Sequence, residues 1–377
     1  MQGARRQTLR VRRSPHLIGY WRQGQFVLRN YATGIASKAS PLVCEFLDAC
    51  GTWQTMDALG KALMPGASSL LPKLVKRLVD RSLLERSDRP PDPRERAMTA
   101  LDRWNPEAGF FHTATKDVRF WSPQETARHT RIREREQKRP PTQKHYRNVQ
   151  RIDLPQPAEG EFSRVALARR TWRRFSSTPM GVEDLATILG LSVGVQKWVR
   201  IGQRDVPLKT SPSGGARHPV EAYVVVRAVR GLTPGLYHYA SDRHALECLR
   251  RGTSAKRIRA YLPHSGYFAG ASALVLFTAM FERQMWRYPY SRAYRAALIE
   301  VGHICQTFCL AATSLGLASF AVMGLADSVI ERDLGVDGVG ESVLYAAGVG
   351  RPPIGTTWAP LPRGRLAIRD NPRFRRH

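Results

Sequence analysis

The chain contains 377 residues, of which 42% are hydrophobic, so it is long enough for one large domain or two ordinary domains with buried cores. Its 59 lysine and arginine residues against 31 aspartate and glutamate residues give a net charge of +28. Such a charge attracts nucleic acid, anionic membranes or acidic polypeptides, or it reflects a compositional bias towards arginine. Five cysteines without a CxxC pair argue against a disulfide framework and a zinc site, and we predict no metal site.

The sequence predicts neither an N-terminal signal peptide nor a membrane span. The basic N-terminus is not followed by an apolar stretch of the kind found in signal peptides. No run of about 18 apolar residues occurs, which argues against a membrane span. We therefore expect a cytoplasmic protein without a membrane partner.

Residues 1–88 are predicted to form a small module. Short strands are expected at residues 16–20 and 26–27, and Thr55 is a plausible N-cap for the second of three helices. The predicted helices are Pro41–Ala49, Met56–Leu63 and a third that begins at Ser68, and residues 82–85 follow as a strand. Three helices and a strand resemble a winged-helix-like domain. Such domains dock peptides or partner proteins, and they also bind DNA.

Residues 89–160 are predicted to be a Pro-rich, basic connector, because prolines interrupt any long helix there. Two aromatic stretches, around Trp104 and at Phe110-Phe111, are too apolar for a free tether and are expected to pack on a neighbouring domain. The Arg/Glu-rich residues 128–139 are predicted to form a solvated helix or a flexible segment.

Residues 161–360 form the third predicted unit, and residues 361–377 a basic tail. Helices are expected at residues 182–191 and 294–317, and strands at 223–229, 273–279 and 341–347. This alternation predicts an α+β fold or a mixed α/β sandwich. No GxGxxG follows the first strand, so the sequence does not indicate a Rossmann dinucleotide site.

A basic run, Arg169-Arg170-Thr171-Trp172-Arg173, stands ahead of the first predicted helix of this unit. Arginine presents fixed forks of donors to anionic oxygens, and Thr171 adds a neutral hydroxyl. Each charge-assisted hydrogen bond contributes roughly 1.5–3 kcal/mol. The run therefore suits a phosphate group, although basic runs also occur on solvated faces.

Three later segments support a ligand-binding interpretation of this run. They are Ser211-Pro-Ser-Gly-Gly-Ala-Arg-His-Pro219, Thr233-Pro-Gly-Leu-Tyr-His-Tyr239 and Gly302-His-Ile-Cys-Gln306. In this order, over about residues 161–355, the four segments resemble the flavin-dependent nitroreductase superfamily, and more closely its peptide-maturation branch, the SagB-type azoline dehydrogenases. The resemblance implies a nitroreductase-like FMN domain, a mixed sheet flanked by helices, and a homodimer with FMN at its interface.

The resemblance also assigns candidate cofactor contacts. The basic run would hold the flavin phosphate and the pyrimidine edge, a Ser-Gly-Gly segment and a Met-Gly pair would approach the ring, and a late arginine would contact the phosphate. Glycine lets a backbone approach a flat ring closely, and serine supplies a short donor. The predicted FMN-binding residues are Arg169, Arg170, Thr171, Arg173, Ser213, Gly214, Gly215, Met323, Gly324 and Arg351.

The predicted catalytic residues are Arg287 and Tyr288. Azoline oxidases carry a Lys-Tyr pair at what looks like this position, and here an arginine replaces the lysine. Because arginine does not lose its proton in proteins, Arg287 could neutralise a developing anion but is a poor base. Tyr288 is the candidate for proton handling.

The resemblance implies an FMN-dependent dehydrogenase that oxidises a ribosomally synthesised peptide, such as an azoline to an azole. A precursor peptide and a cyclodehydratase or another maturation enzyme are the expected partners, and nucleic acid is not expected. One alternative keeps the cofactor in an NAD(P)H-dependent reductase of nitro compounds or quinones. Another is a winged-helix DNA-binding regulator with a degenerate flavin domain, which the basic linker keeps open.

Overall fold

The computed structural model describes residues 8–63, 68–138, 140–144, 149–152, 154–155 and 157–356. The predicted basic tail, residues 361–377, lies outside this part of the chain.

The N-terminal part packs three helices against short antiparallel strands. Its elements are β1 (Arg10–Arg13), β2 (Leu17–Arg22), β3 (Gln25–Asn30), β4 (Ala36–Lys38), α1 (Pro41–Ala49), β5 (Gln54–Thr55), α2 (Met56–Leu63), α3 (Leu71–Asp80) and β6 (Leu84–Arg86). The predictions of α1 and α2 are confirmed residue for residue. β1 lies between β5 and β6, while β2, β3 and β4 form a separate meander. The winged-helix assignment stays a prediction.

The connector consists of helices that pack on both neighbours. They are α4 (Pro93–Met98), α5 (Pro106–Thr115) and the solvent-exposed α6 (Pro123–Glu136). Trp104, between α4 and α5, is 3% exposed and packs edge-on against Phe281 and Tyr294 of the C-terminal part. The prediction that this aromatic stretch packs on a domain is therefore confirmed.

The C-terminal part is built on a six-stranded sheet. Its helices are α7 (Glu161–Ala168), α8 (Val182–Ser192), α9 (Ala255–Tyr261), α10 (Phe281–Met285), α11 (Ala293–Ser314) and α12 (Asp327–Leu334). Its strands are β7 (Met180–Gly181), β8 (Lys197–Ile201), β9 (Arg204–Leu208), β10 (Val220–Val226), β11 (Val229–Arg230), β12 (Gly235–Ala240), β13 (Ala245–Arg251), β14 (Ala273–Met280), β15 (Ala318–Val322) and β16 (Glu341–Gly350).

The strand pairing differs from the expected mixed sheet. The order is β13-β12-β10-β14-β16-β15, and every described pair in this sheet is antiparallel. Parallel pairing among the described residues is confined to the two-residue ladder of β7 and β11. Short connections, such as the four residues between β12 and β13, can join only antiparallel neighbours, and helices on both faces bury β14 almost throughout. A continuous apolar strand is typical of parallel sheets, but here it arises from two-sided burial of an antiparallel one.

Each face of the sheet has its own hydrophobic core. α8 and α11 cover one face, and α9 and α12 contribute to the cluster on the other. By its length and composition alone, α11 could cross a membrane. However, 56% of its most apolar 18-residue stretch is buried inside the protein. It is the central helix of a core, and its two ends define the two regions in which the predicted site residues lie.

Candidate functional site

The basic run lies along one end of the sheet. Arg169 follows the last residue of α7, and the backbone N–H of Trp172 donates to the Ser319 carbonyl at the start of β15 (2.9 Å). The N–H of Ser176 donates to the carbonyl of Arg351, just beyond β16 (2.9 Å). Trp172 is buried while its neighbours Thr171 and Arg173 are exposed. Burial of the tryptophan therefore anchors the segment and turns the adjacent polar side chains outward.

The arginines of this run have different surroundings. The guanidinium groups of Arg169 and Arg173 make no hydrogen bond or ion pair with any residue that the structure describes. Arg170 donates through Nη1 to the carbonyls of Leu167 and Arg169 (2.5 and 2.7 Å), so it also caps the end of α7. Arg351 donates to the Pro179 carbonyl (3.2 Å). Two guanidinium groups and the Thr171 hydroxyl thus remain available to an anionic ligand.

The Ser213–Gly215 segment, here called the glycine loop, lies near the opposite end of α11. Gly215 has φ +62°, and a Cβ there would lie 2.6 Å from the Tyr288 hydroxyl oxygen. A Cβ at Gly214 would lie 3.0 Å from Nε2 of the buried Gln284. The positive φ and the close contact at Gly215 disfavour any side chain there, and the space at Gly214 is tight. The structure therefore places the predicted glycine loop against the predicted catalytic Tyr288.

Tyr288 is held from both sides. Its N–H donates to the Gln284 carbonyl (3.0 Å), and its own carbonyl accepts a hydrogen bond from Trp104 Nε1 (3.0 Å). The Arg287 guanidinium lies 5.9 Å from the centroid of the Tyr288 ring. A cation at this position can stabilise negative charge that develops on the phenol.

A buried group of charged side chains backs the glycine loop, and the sequence-based predictions did not include it. The His218 N–H donates to Ser213 Oγ (2.8 Å), and His218 Nδ1 lies 3.7 Å from Oε1 of Glu300 on α11. Burial lowers the pKa of His218 to about 4 and raises that of Glu300 to about 7. Lys209 lies nearby, and burial lowers its pKa as well. No sequence motif indicates this cluster, since its members come from separate elements.

The predicted residues fall into two groups along α11. The glycine loop contacts α11 near Ala296, whereas Arg169 lies close enough to Cys309 to influence the pKa of that thiol. These positions are about 20 Å apart at the rise of an α-helix. Met323 follows β15 with its side chain 68% exposed, and Gly324 lies against Phe120. Among the described residues, no group of three or more histidine, cysteine, aspartate or glutamate side chains could hold a metal.

This donor set fits a monophosphorylated flavin. Free guanidinium groups suit the phosphate, and two consecutive glycines present bare backbone that a flat ring can approach closely. The architecture and the site thus suit a flavin-dependent oxidoreductase.

Comparison with known proteins identifies the family to which the chain belongs. Residues 166–351 match the sequence profile of the nitroreductase family. The protein MJ1384 of Methanocaldococcus jannaschii, whose name describes a nitroreductase, is 32% identical over 183 residues, which cover 48% of this chain and 88% of that protein. The chain belongs to the nitroreductase family, a family of flavin oxidoreductases.

Two further relatives are named for peptide processing. The trifolitoxin-processing protein TfxB of Rhizobium leguminosarum bv. trifolii is 38% identical over 143 residues, covering 37% of this chain and 38% of TfxB. The microcin B17-processing protein McbC of Escherichia coli is 28% identical over 131 residues, covering 33% of this chain and 48% of McbC. The chain therefore matches less than half the length of either relative. A structure of the E. coli microcin synthetase McbBCD complex aligns over 67% of this chain and 96% of that chain, with 19% identity and a TM-score of 0.47.

Proposed function

We propose that the protein is an FMN-dependent dehydrogenase that oxidises a ribosomally synthesised peptide during its maturation, for example an azoline to an azole. The observation that carries the proposal is the meeting of the glycine loop with Tyr288, two motifs that lie far apart in the sequence. The names of TfxB and McbC support a peptide substrate.

FMN would be held by two sets of residues. Arg169, Thr171 and Arg173 would bind the phosphate, with Arg351 at the same end of the sheet, while Ser213–Gly215 and Met323-Gly324 would lie beside the ring. When bound, FMN would supply the two-electron oxidation. The arginines add charge-assisted hydrogen bonds, and the loop adds a close backbone approach.

The residues of the chain would handle the proton that the oxidation releases. The oxidation would remove two hydrogens from the substrate, one as a proton and the other with the two electrons that FMN would accept and pass on to molecular oxygen or another acceptor. Tyr288 would relay the proton through its hydroxyl, and the nearby Arg287 guanidinium would stabilise the charge that develops. The Trp104 hydrogen bond to the Tyr288 carbonyl would hold the phenol in register with the loop.

A second copy of the chain would complete the site, because the two sets of residues lie at opposite ends of α11. In a homodimer, the glycine loop of one copy would face the arginines of the other. α11 exposes Leu298, Ile299 and Gly302, and a Cβ at Gly302 would meet no atom within 4 Å. An exposed apolar stripe with a glycine suits close packing against another helix. An Ile299→Arg variant should be monomeric by sedimentation and should lose FMN.

The N-terminal part would dock the precursor peptide or a partner such as a cyclodehydratase. We further propose a cytoplasmic location, since the described cysteines are all free thiols, which a reducing compartment preserves. This location agrees with a peptide that is modified before export.

The decisive experiment is mass spectrometry of an azoline-bearing peptide, made with a cyclodehydratase, before and after incubation with the yellow protein and oxygen. The loss of two hydrogens per modified site is expected. Tyr288→Phe should bind FMN but leave the mass unchanged, whereas Tyr290→Phe, a more exposed neighbour whose ring lies 5.9 Å away, should be active. An unchanged mass with FMN-loaded wild-type protein would reject the proposal.

A second candidate function is an NAD(P)H-dependent reductase of nitro compounds or quinones. The match to MJ1384, which spans 88% of that protein, favours it. This candidate requires rapid reduction of the bound flavin by NADPH in the absence of peptide, which stopped-flow absorbance would detect. A colourless protein that neither binds added FMN nor quenches its fluorescence would instead favour the DNA-binding regulator.

A further inference from the structure

Glu300 is a buried carboxyl group directly behind the glycine loop. It lies on α11 and is 2% exposed. Neither of its oxygens accepts a well-aligned hydrogen bond from a described residue. Its nearest polar neighbours are the Ser213 hydroxyl, which favours the charged form, and His218 Nδ1, 3.7 Å from Oε1. A buried carboxyl group without a firm partner is costly unless it is protonated or serves a purpose.

The tautomer of His218 decides where a proton can lie. His218 Nε2 is 3.0 Å from the Pro207 carbonyl oxygen, which is an acceptor only, so Nε2 carries a hydrogen. In the neutral ring, Nδ1 is then an acceptor that faces Glu300. Two acceptors face each other across 3.7 Å, and a proton on Glu300 would let a small side-chain movement bring them to hydrogen-bond distance.

The Ser213 hydroxyl is the link between this pair and the loop. Its oxygen accepts the N–H of His218 (2.8 Å), which leaves its own hydrogen to be donated elsewhere. An ionised Glu300 attracts that hydrogen, because a hydrogen bond to a carboxylate is stronger than one to a neutral acceptor. A protonated Glu300 can bond to His218 instead and leave the Ser213 hydrogen free.

We propose that Glu300 is a positioning residue whose protonation state decides whether the Ser213 hydroxyl donates to the bound cofactor or to the Glu300 carboxylate. This inference rests on the proposed function, since it requires FMN beside the glycine loop. It assigns a pH-dependent control of cofactor binding to a residue on the central helix. Protonated Glu300 corresponds to the state that binds FMN more tightly.

Other charged groups set the range in which Glu300 titrates. Burial raises its pKa to about 7, while Ser213, Lys209 and Arg283 act in the opposite direction. Arg283 is itself paired with Glu221 (2.6 Å), and Arg217, which donates to the Gly215 carbonyl (2.9 Å), helps to lower the pKa of His218. The cations moderate the effect of burial without cancelling it. Glu300 therefore changes charge near neutral pH.

The test compares FMN affinity of wild type and Glu300→Gln by fluorescence quenching between about pH 5.5 and about pH 8.5. The titration of the FMN phosphate cancels in the ratio of the two dissociation constants. We expect wild-type affinity to weaken at least about fivefold relative to Glu300→Gln as the pH rises, the loss of roughly one hydrogen bond. Glu247→Gln, an exposed change beside the same charged group, should follow wild type.

Ser213→Ala provides a second route to the same answer, since it removes the hydroxyl and keeps Glu300. Its FMN affinity should be weak at both pH values and should lack the dependence that distinguishes wild type from Glu300→Gln. A ratio of wild-type to Glu300→Gln affinity that stays constant with pH would overturn the inference and leave the proposed function intact.

Urea denaturation without FMN supplies a readout that does not need the cofactor. Because the folded pKa of Glu300 is raised above its unfolded value, the folded protein holds an extra proton between about pH 4.5 and pH 7, and stability falls as the pH rises through that range. The wild-type urea midpoint should therefore fall relative to that of Glu300→Gln between about pH 5.5 and about pH 8.5. If neither variant binds FMN, both proposals fail; equal pH dependence of the midpoints overturns only the role of Glu300.

Discussion

The two ends of α11 carry the two halves of the candidate site, and they are built differently. At the N-terminal end, the glycine loop is fixed by Tyr288, by Gln284 and by the hydrogen bond from the His218 N–H to Ser213. At the C-terminal end, the guanidinium groups of Arg169 and Arg173 have no partner among the described residues. One end is rigid and polar inside, and the other presents positive charge to the solvent.

This difference separates binding from chemistry. Unpaired arginines gain most of their interactions only when an anion arrives, so they should govern affinity and its dependence on salt. Gly215 and Tyr288 are already close to each other, so changes at these two positions should alter turnover more than affinity, whereas Ser213 would add one hydrogen bond to the cofactor. Four predictions test this division, from the largest expected effect to the smallest.

Removing both free guanidinium groups should produce the largest effect. Arg169→Ala with Arg173→Ala removes two charge-assisted hydrogen bonds to phosphate, so the FMN dissociation constant should rise by about 100-fold or more. The double variant should also lose most of the salt dependence of binding. Fluorescence titration at two salt concentrations measures both quantities.

The matched control for the arginine pair lies on the exposed helix α6, where Arg131→Ala with Arg133→Ala removes the same charge from a solvated face. This control should bind FMN like wild type. Equal losses in the two double variants would show that only the general positive charge matters, and that the basic run after α7 is no phosphate site.

Gly215→Ala should reduce turnover at least about tenfold with little change in FMN affinity. An alanine at φ +62° costs about 1–2 kcal/mol of folding free energy, and its Cβ would also displace the Tyr288 hydroxyl. Gly202 has φ +61°, and a Cβ there would meet no atom within 4 Å, so Gly202→Ala reports the backbone cost alone. The two variants should lose similar stability, but only Gly215→Ala should lose turnover. Equal turnover in both variants would show that Tyr288 takes no part in the reaction.

Trp104→Phe tests whether the connector positions Tyr288. The change keeps most of the aromatic packing but removes the Nε1 donor to the Tyr288 carbonyl, so the free energy of unfolding should fall by about 1 kcal/mol. Turnover should fall further than FMN affinity. Trp198→Phe, at a half-exposed position on β8, serves as the control and should change neither. If Trp104→Phe and Trp198→Phe have the same turnover, the hydrogen bond from Trp104 to the Tyr288 carbonyl contributes only to stability.

Local patterns predicted the strongly amphipathic or long helices well, but they missed shorter helices such as α9 and α12 and did not predict the tertiary contacts. α1 and α2 follow from helical spacing and from the Thr55 cap, whose Oγ1 accepts the Ala58 N–H (3.2 Å). The pairing direction of β14 does not follow, because a strand buried on both faces has no alternation to read. The hairpin of β8 and β9 was missed as well, since its strands are mostly exposed.

The residues of the candidate site also differ in how far the sequence alone could predict them. The arginine run and the glycine loop are local segments whose composition already indicates close contact with an anion and a flat surface. Trp104, 184 positions from Tyr288, and Glu300, which meets His218 across 3.7 Å, contribute only through the fold. No local pattern marks such residues, because a tryptophan or a glutamate on a helix is ordinary until its partner is known.

The smallest predicted effect concerns His238, which lies in the same charged region as the glycine loop. Its ring nitrogens contact Glu221 (3.1 Å) and Glu247 (2.8 Å), and these carboxylates raise its pKa to about 9. Because the folded pKa lies above the unfolded value, the stabilisation is complete below about pH 6.5 and is lost as the pH rises through about 9.

His238→Gln should therefore lower the urea midpoint modestly at about pH 6 and have little effect near pH 10, where wild type has lost the same interaction. His264→Gln, an exposed change, should leave the pH dependence as in wild type. A His238→Gln deficit that persists at high pH would mean that the ring contributes packing rather than charge. FMN affinity should be unaffected at every pH, because the His238 ring contacts neither the arginine run nor the glycine loop. A loss of affinity would mean that the FMN-binding region reaches this edge of the sheet.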